Sequence, residues 1–218
     1  MGQNDEIKRF FDGCAESWDS RCSYSPEKIA AVVTLAGIAP GSRVADVACG
    51  TGVLFREMLS RGPAEVTGID LSEKMIAGAR AKYSDPRLRL LAADLFDVRE
   101  TGFDVAVLFN AYPHFPDRRR LAGQLSGMLK TGGRFLVAHC EGRDCINRCH
   151  SGEAGRISRV LRPAAEEAAV FSEYFRIDMT ADTPEIYFFS GTKRPQVPPP
   201  RPEGALQNKF AAANRADQ

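Results

Sequence analysis

The stretch VADVACGTG, from Val44 to Gly52, restricts the possible folds more than any other feature of this chain. An apolar strand runs into an acidic residue and a glycine turn, and a helical pattern opens at Val53. In an α/β protein such a turn lies at the carboxyl end of the first strand, where open parallel sheets bind ligands. Asp46, Ala48, Gly50 and Gly52 fall at alternate positions. The dinucleotide fingerprint needs a further glycine three residues on, where this chain has Phe55. Asp46 would repel a pyrophosphate, whereas a ligand carrying an ammonium and a sulfonium would be drawn to it. That charge pattern points to S-adenosylmethionine.

Strands and helices then alternate. Strands are predicted at Arg43–Val47, Glu65–Ile69, Leu88–Ala92, Phe103–Phe109 and Arg134–His139. Helices are predicted at Gly52–Ser60, Ser72–Tyr83 and Asp117–Lys130. Such βαβ repetition implies right-handed crossovers and a parallel sheet covered by helices on both faces. Beyond His139, helices are expected at Arg143–His150 and Ala164–Phe171, then two strands, Phe175–Ala181 and Glu185–Gly191, as a closing hairpin. The expected fold is a Rossmann-like α/β three-layer sandwich, its seven-stranded sheet mostly parallel with a C-terminal antiparallel hairpin. Residues 1–40 read as a helical lid segment, with Ser25 and Pro26 opening its second helix. Residues 41–193 form the main domain. Residues 194–218, which open with RPQVPPPRPEG, read as a disordered proline-rich tail.

Composition narrows the function. A formal net charge of +1 gives no reason to expect a nucleic-acid groove or an anionic membrane surface. No apolar run approaches the roughly 20 residues needed to span a bilayer. The first residues, MGQNDEIKRFFDG, lack the apolar core of a secretory signal. The six cysteines include no C-x-x-C pair and are read as reduced thiols of a cytoplasmic protein. A small-molecule substrate is the expected partner, with oligomeric state left open.

Two more acidic strand ends follow the first. Asp70, in VTGIDLSEKM, stands where a carboxylate would accept hydrogen bonds from both ribose hydroxyls. Asp94, in LAADLFD, is placed to accept from an adenine amino group, with Met75 and Leu95 against the ring. Together ADVACGTG, GIDLSEKM, AADL and LKTGGRFLV resemble the motif series of class I S-adenosylmethionine-dependent methyltransferases, in particular the ubiquinone/menaquinone small-molecule branch. Thr131 stands where that family has proline. The resemblance implies S-adenosylmethionine as cofactor and methyl transfer as activity. It implies that the methionine end lies near Asp46, Ala48, Cys49, Gly50 and Gly52. It places ribose at Asp70, adenine near Leu71, Met75, Asp94 and Leu95, and the sulfonium near Asn110. FFDGCAESWD, from Phe10 to Asp19, resembles the segment that closes over the cofactor in such enzymes.

The substrate side is expected in FNAYPHFPD (Phe109–Asp117) and AHCEGRDCINRCH (Ala138–His150), which follow the fourth and fifth strands. All three histidines of the chain, His114, His139 and His150, lie there. These two segments also resemble an uncharacterised bacterial group of methyltransferase-like proteins with Pro-His-Phe after the fourth strand. His139, Arg143, Asn147 and His150 match that group's second stretch, while Cys140, Gly142 and Asp144 depart from it. The histidines are candidate proton acceptors, and Tyr112, Arg143 and Asn147 candidate substrate contacts. No pair of histidines has metal-ligand spacing, so no metal is expected. Three alternatives stay open: a non-catalytic S-adenosylmethionine sensor, a metal- or metalloid-linked methyltransferase, and a nicotinamide-dependent oxidoreductase.

Overall fold

The computed structural model describes residues 2–195; the proline-rich tail from residue 196 on lies outside the described residues. Seven strands form one sheet: β1 (Arg43–Val47), β2 (Glu65–Asp70), β3 (Leu88–Ala92), β4 (Phe103–Phe109), β5 (Leu129–His139), β6 (Phe175–Asp182) and β7 (Tyr187–Lys193). Their order is β3-β2-β1-β4-β5-β7-β6. The first five are parallel, and β7 runs antiparallel between β5 and β6. Because β1 sits centrally, between β2 and β4, its carboxyl end marks the crevice where the strand order reverses.

Eight α-helices accompany the sheet among the described residues: α1 (Gln3–Cys14), α2 (Trp18–Arg21), α3 (Pro26–Ala36), α4 (Phe55–Ser60), α5 (Glu73–Lys82), α6 (Arg118–Met128), α7 (Arg143–Cys149) and α8 (Ala164–Phe171). One face of the sheet buries Val32 and Val33 of α3, Phe55 and Met58 of α4 and Ile76 of α5. The other buries Leu121 and Leu125 of α6 and Ala168 and Phe171 of α8. Phe171 stacks on Phe135 of β5 with ring centroids 4.9 Å apart, and Phe175 and Phe189 close the cluster edge-on. Aromatic contacts of this kind add to the burial itself.

The last strand is shifted from Glu185–Gly191 to Tyr187–Lys193 and α6 is trimmed at both ends, while two boundaries differ by more, each for a local reason. The first-strand helix starts at Phe55 rather than Gly52, because Gly50 and Gly52 take left-handed φ values of 54° and 87° that no α-helix accommodates. A Cβ on Gly52 would also lie 2.2 Å from Phe55 Cδ2. The fifth strand begins at Leu129, not Arg134, so the LKTGG segment pairs with β4 through an irregularity between Phe103 and Val105. Gly68 in β2 has a similar constraint: a Cβ there would meet Phe55 Cζ at 2.5 Å and Cys49 Sγ at 3.0 Å.

Candidate active site

β1 carries Asp46 to the carboxyl edge of the sheet, and Ala48 at φ 54° turns the chain back. Asp46 is 2% exposed, and burial together with the nearby Asp70 carboxylate pushes its pKa well above the ordinary carboxylate value. Asp70 ends β2 and ties two loops together. Its Oδ2 accepts from Gly50 N and its Oδ1 from Ser72 N, both at 2.8 Å. Burial raises its pKa too, against the pull of these two bonds. Ser72 caps α5 by accepting from Met75 N at 3.1 Å. Asp94, after β3, accepts from Phe96 N at 2.9 Å and from the Asn4 side chain at 2.5 Å. No protein cation pairs with Asp46 or Asp70 among the described residues, so two desolvated carboxylates face each other uncompensated. A cationic ligand fits that deficit, and a pyrophosphate does not.

A cavity of about 720 Å³ opens over this turn. Every residue expected at the cofactor lines it except Asp46 and Gly52, which stand behind the wall. Met75 and Leu95, both buried, give its far end the apolar surface an adenine ring would need. The Cys49 thiol is buried beneath the turn, and desolvation raises its pKa strongly.

The same cavity is lined by all three histidines. His114 comes from the turn after β4, His139 from the last position of β5, and His150 from the end of α7. The His114 and His150 ring centroids are 5.1 Å apart, and Phe11 of α1 stands edge-on to His114 at 5.0 Å. His139 is 2% exposed and its Nε2 has no protein partner. Burial, reinforced by the neighbouring histidines and Arg118, lowers the His139 pKa to about 3. Burial likewise lowers that of His114 to about 4, despite the carbonyl of Ile157 at its Nδ1. Both rings are therefore neutral near pH 7. Asn110, at φ 52°, accepts from Cys140 N at 3.1 Å and reaches Cys140 Sγ with its amide, which joins β4 to β5 at the cavity floor.

Three residues expected to touch the substrate are elsewhere. Tyr112 is fully buried, donates to Glu167 Oε2 at 2.9 Å, and lies under the Arg118 guanidinium. Arg118, itself buried, bonds the carbonyls of Tyr112 and Phe115, so Tyr112 anchors the turn that presents His114. Arg143 pairs with Asp182 at 3.3 Å, at the far side of α7. Asn147 exchanges hydrogen bonds with the backbone of Leu161, at 2.8 and 3.1 Å, and so pins α7 to the next segment. None of the three lines the cavity. Among the described residues, no group of three or more His, Cys, Asp or Glu side chains is placed to hold a metal ion.

Several contacts that shape the site carry no sequence motif. Asp12 of α1 accepts from Ser72 Oγ at 2.6 Å, and Asp19 accepts from Thr51 Oγ1 at 2.5 Å and pairs with Lys82 at 2.7 Å. With Asn4 on Asp94, these bonds lay α1 and α2 across the cavity. Tyr24, which lines the cavity, packs on Phe109 at 5.5 Å, and burial raises its pKa to about 12. Ile157 and Ser158 meet His114 from a segment with no motif at all.

Residues 44–133 match the methyltransferase domain family. A ubiquinone biosynthesis O-methyltransferase of Aromatoleum aromaticum is 29% identical over 144 residues, 61% of this chain and 61% of that protein. The chain thus spans about three-fifths of the length of this curated relative. Among solved structures, a chain of the complex that contains the Haloferax volcanii Trm112 methyltransferase activator superposes with a TM-score of 0.73 at 18% identity. The match covers 85% of this chain and 98% of that one. The magnesium protoporphyrin IX methyltransferase of Synechocystis, solved with bound S-adenosylmethionine, gives 0.67 at 16% identity, covering 88% and 98%. At such identities the structural likeness is one of fold. The match over residues 44–133, the curated relative and the seven-stranded sheet agree on a likeness to the class I S-adenosylmethionine-dependent methyltransferases and, among them, to the ubiquinone branch.

Proposed function

We propose that this protein transfers a methyl group from S-adenosylmethionine to a small-molecule substrate. The observation that carries the reading is the pair of buried, cation-free carboxylates, Asp46 and Asp70, on a turn that opens into the same cavity as three histidines. Asp46 and Asp70 would hold the cationic methionine end and the ribose, and Asp94, Met75 and Leu95 the adenine. Bound there, the cofactor supplies an electrophilic methyl group. The chain's own part is to position and to deprotonate. Asn110 and Cys140 form the floor between the two ends, and aromatic side chains of α1 and α2 exclude water from above. A neutral histidine with a free lone pair receives the proton that the substrate gives up as it is methylated. The contacts of Asn4, Asp12 and Asp19 support a covering role for residues 1–40. Six free thiols suit a reducing, cytoplasmic setting.

Calorimetric titration with S-adenosylhomocysteine, with NAD as control ligand, tests the reading. Micromolar one-to-one binding of the first and none of the second is expected. Preference for NAD, or no binding of either, would overturn it.

A further inference from the structure

The hydrogen-bonding sense of the substrate end is fixed by the protein. His150 Nδ1 lies 2.7 Å from the carbonyl oxygen of Ile146. A carbonyl cannot donate, so Nδ1 carries a proton, and in the neutral ring the lone pair sits on Nε2. His114 Nδ1 lies 3.2 Å from the Ile157 carbonyl oxygen, which assigns the same tautomer. Ser158 strengthens that choice. Its hydroxyl donates to Ala154 O at 2.6 Å, so its oxygen, 3.2 Å from His114 Nδ1, is left to accept. The hydrogen bonds of both rings among the described residues run through Nδ1 alone, and the buried Nε2 of His139 has no partner. Phe11 packs edge-on against the His114 ring, and Cys145 and Cys149 of α7 complete this end. Of the charged groups that line the cavity, Asp70 and Asp94 belong to the proposed cofactor end, and Asp117 caps α6 by accepting from Arg120 N at 2.9 Å. Arg21 is exposed on α2, Arg120 is stacked over Phe96 at 3.8 Å, and Glu141 pairs with Lys28 at 3.4 Å.

Lone pairs with no donors opposite them select what may bind. We propose that the methyl-accepting atom is an uncharged, protic X–H group (hydroxyl, amine or thiol) that donates to the Nε2 atoms of His114 and His150, and that Ser158 is a positioning residue that holds His114 in this sense. A carboxylate, a thiolate or a metalloid oxyanion would set lone pair against lone pair in a desolvated site, which is costly. The inference rests on the methyltransferase reading and names the substrate class of that same site.

The test uses the full chain saturated with S-adenosylhomocysteine, whose own binding is measured first. Five probes of similar shape are titrated: 2-naphthol, 2-naphthylamine, 2-naphthalenemethanethiol, 2-methoxynaphthalene and 2-naphthoate. At least one protic probe is expected to bind about tenfold more tightly than both the methyl ether and the carboxylate, roughly the worth of one hydrogen bond. Which of the three does so identifies the methylated element. Ser158→Ala is expected to lose part of that preference, about threefold, and Ser158→Thr to restore it, with cofactor-product affinity unchanged in both. Long-range proton–nitrogen spectra of the unmutated protein, labelled at histidine, should show protonated Nδ1 and bare Nε2 for His114 and His150. Equal or tighter binding of the ether or the carboxylate, or an Nε2–H tautomer at either ring, would overturn the proposal. Absence of S-adenosylhomocysteine binding would instead overturn the methyltransferase reading beneath it.

Discussion

The two ends of the cavity solve opposite electrostatic problems. The proposed cofactor end buries two carboxylates, Asp46 and Asp70, that no protein cation balances among the described residues, a deficit that a cationic ligand would relieve. The proposed substrate end holds two imidazoles, the half-buried His114 and the buried His139, that desolvation keeps neutral. Burial is the leading cause in both, yet it makes one end seek positive charge and the other seek protons. The two ends meet at Asn110 and Cys140, where neither charge is present. This contrast teaches why one pocket can hold a sulfonium beside a base without the base being quenched: neutral imidazoles do not repel the cation.

That contrast can be broken from either end. The largest effect is expected from His114→Phe and His139→Phe, which remove a proton acceptor. Turnover should fall about 10²- to 10⁴-fold, while the affinity for S-adenosylhomocysteine, measured by calorimetry, stays within about threefold. A parallel loss of cofactor affinity would show that the two ends are not separate. Asp70→Ala removes the carboxylate that ties Gly50 to Ser72 and should weaken S-adenosylhomocysteine binding about a hundredfold.

Acid stability sharpens the comparison. Unfolded histidines protonate near 6.5, whereas His114 and His139 resist protonation down to about 4 and about 3 in the fold. Between those values the unfolded chain binds more protons, so stability falls as the pH drops below 6.5, by on the order of 3 kcal/mol for each ring at pH 4. The raised carboxylates act in the other direction. Asp46 and Asp70 take up protons in the fold before the unfolded chain does, so their contribution is greatest at low pH and is lost as the pH rises through their folded values. Urea midpoints between pH 7 and pH 4 should therefore decline less in His139→Phe than in the parent; an unchanged slope would place the acid sensitivity elsewhere. Asp46→Asn should raise the melting temperature of the ligand-free protein by a few degrees and abolish much of the stabilisation that S-adenosylmethionine confers. Asn4→Ala should have the smallest effect. One exposed bond to Asp94 is lost, and cofactor release in stopped flow should quicken by about threefold.

Much of this arrangement is legible in the sequence because it is local. Asp46 lies near the end of β1, Asp70 closes β2 and Asp94 comes just after β3, so the alternation of strands and helices places them on one edge of the sheet. The three histidines are readable for the same reason. What the sequence hides is direction and distance. Tyr112 lies two residues from His114, yet Glu167 of α8 and the Arg118 guanidinium draw it into the core, and nothing between residues 109 and 117 foretells a partner 55 residues away. Arg143 and Asn147 share a helical face with His150, but β6 and Leu161 claim them first. Ser158 carries no motif, because its role depends on a carbonyl at Ala154 and a ring 44 residues earlier.

Gly68 has a consequence for anyone who screens variants of this protein. It does not itself line the cavity, yet Phe55, Leu90 and Cys49 close on it so tightly that an added methyl group would force them to shift. Cys49 belongs to the glycine turn, so the displaced volume would be handed on to the backbone that faces the ligand. A harmless-looking alanine in the second strand would then register in an assay as a cofactor defect. Loss of binding after a substitution in this half of the sheet is thus no proof of contact, and a map of the site drawn from such losses would extend one strand too far.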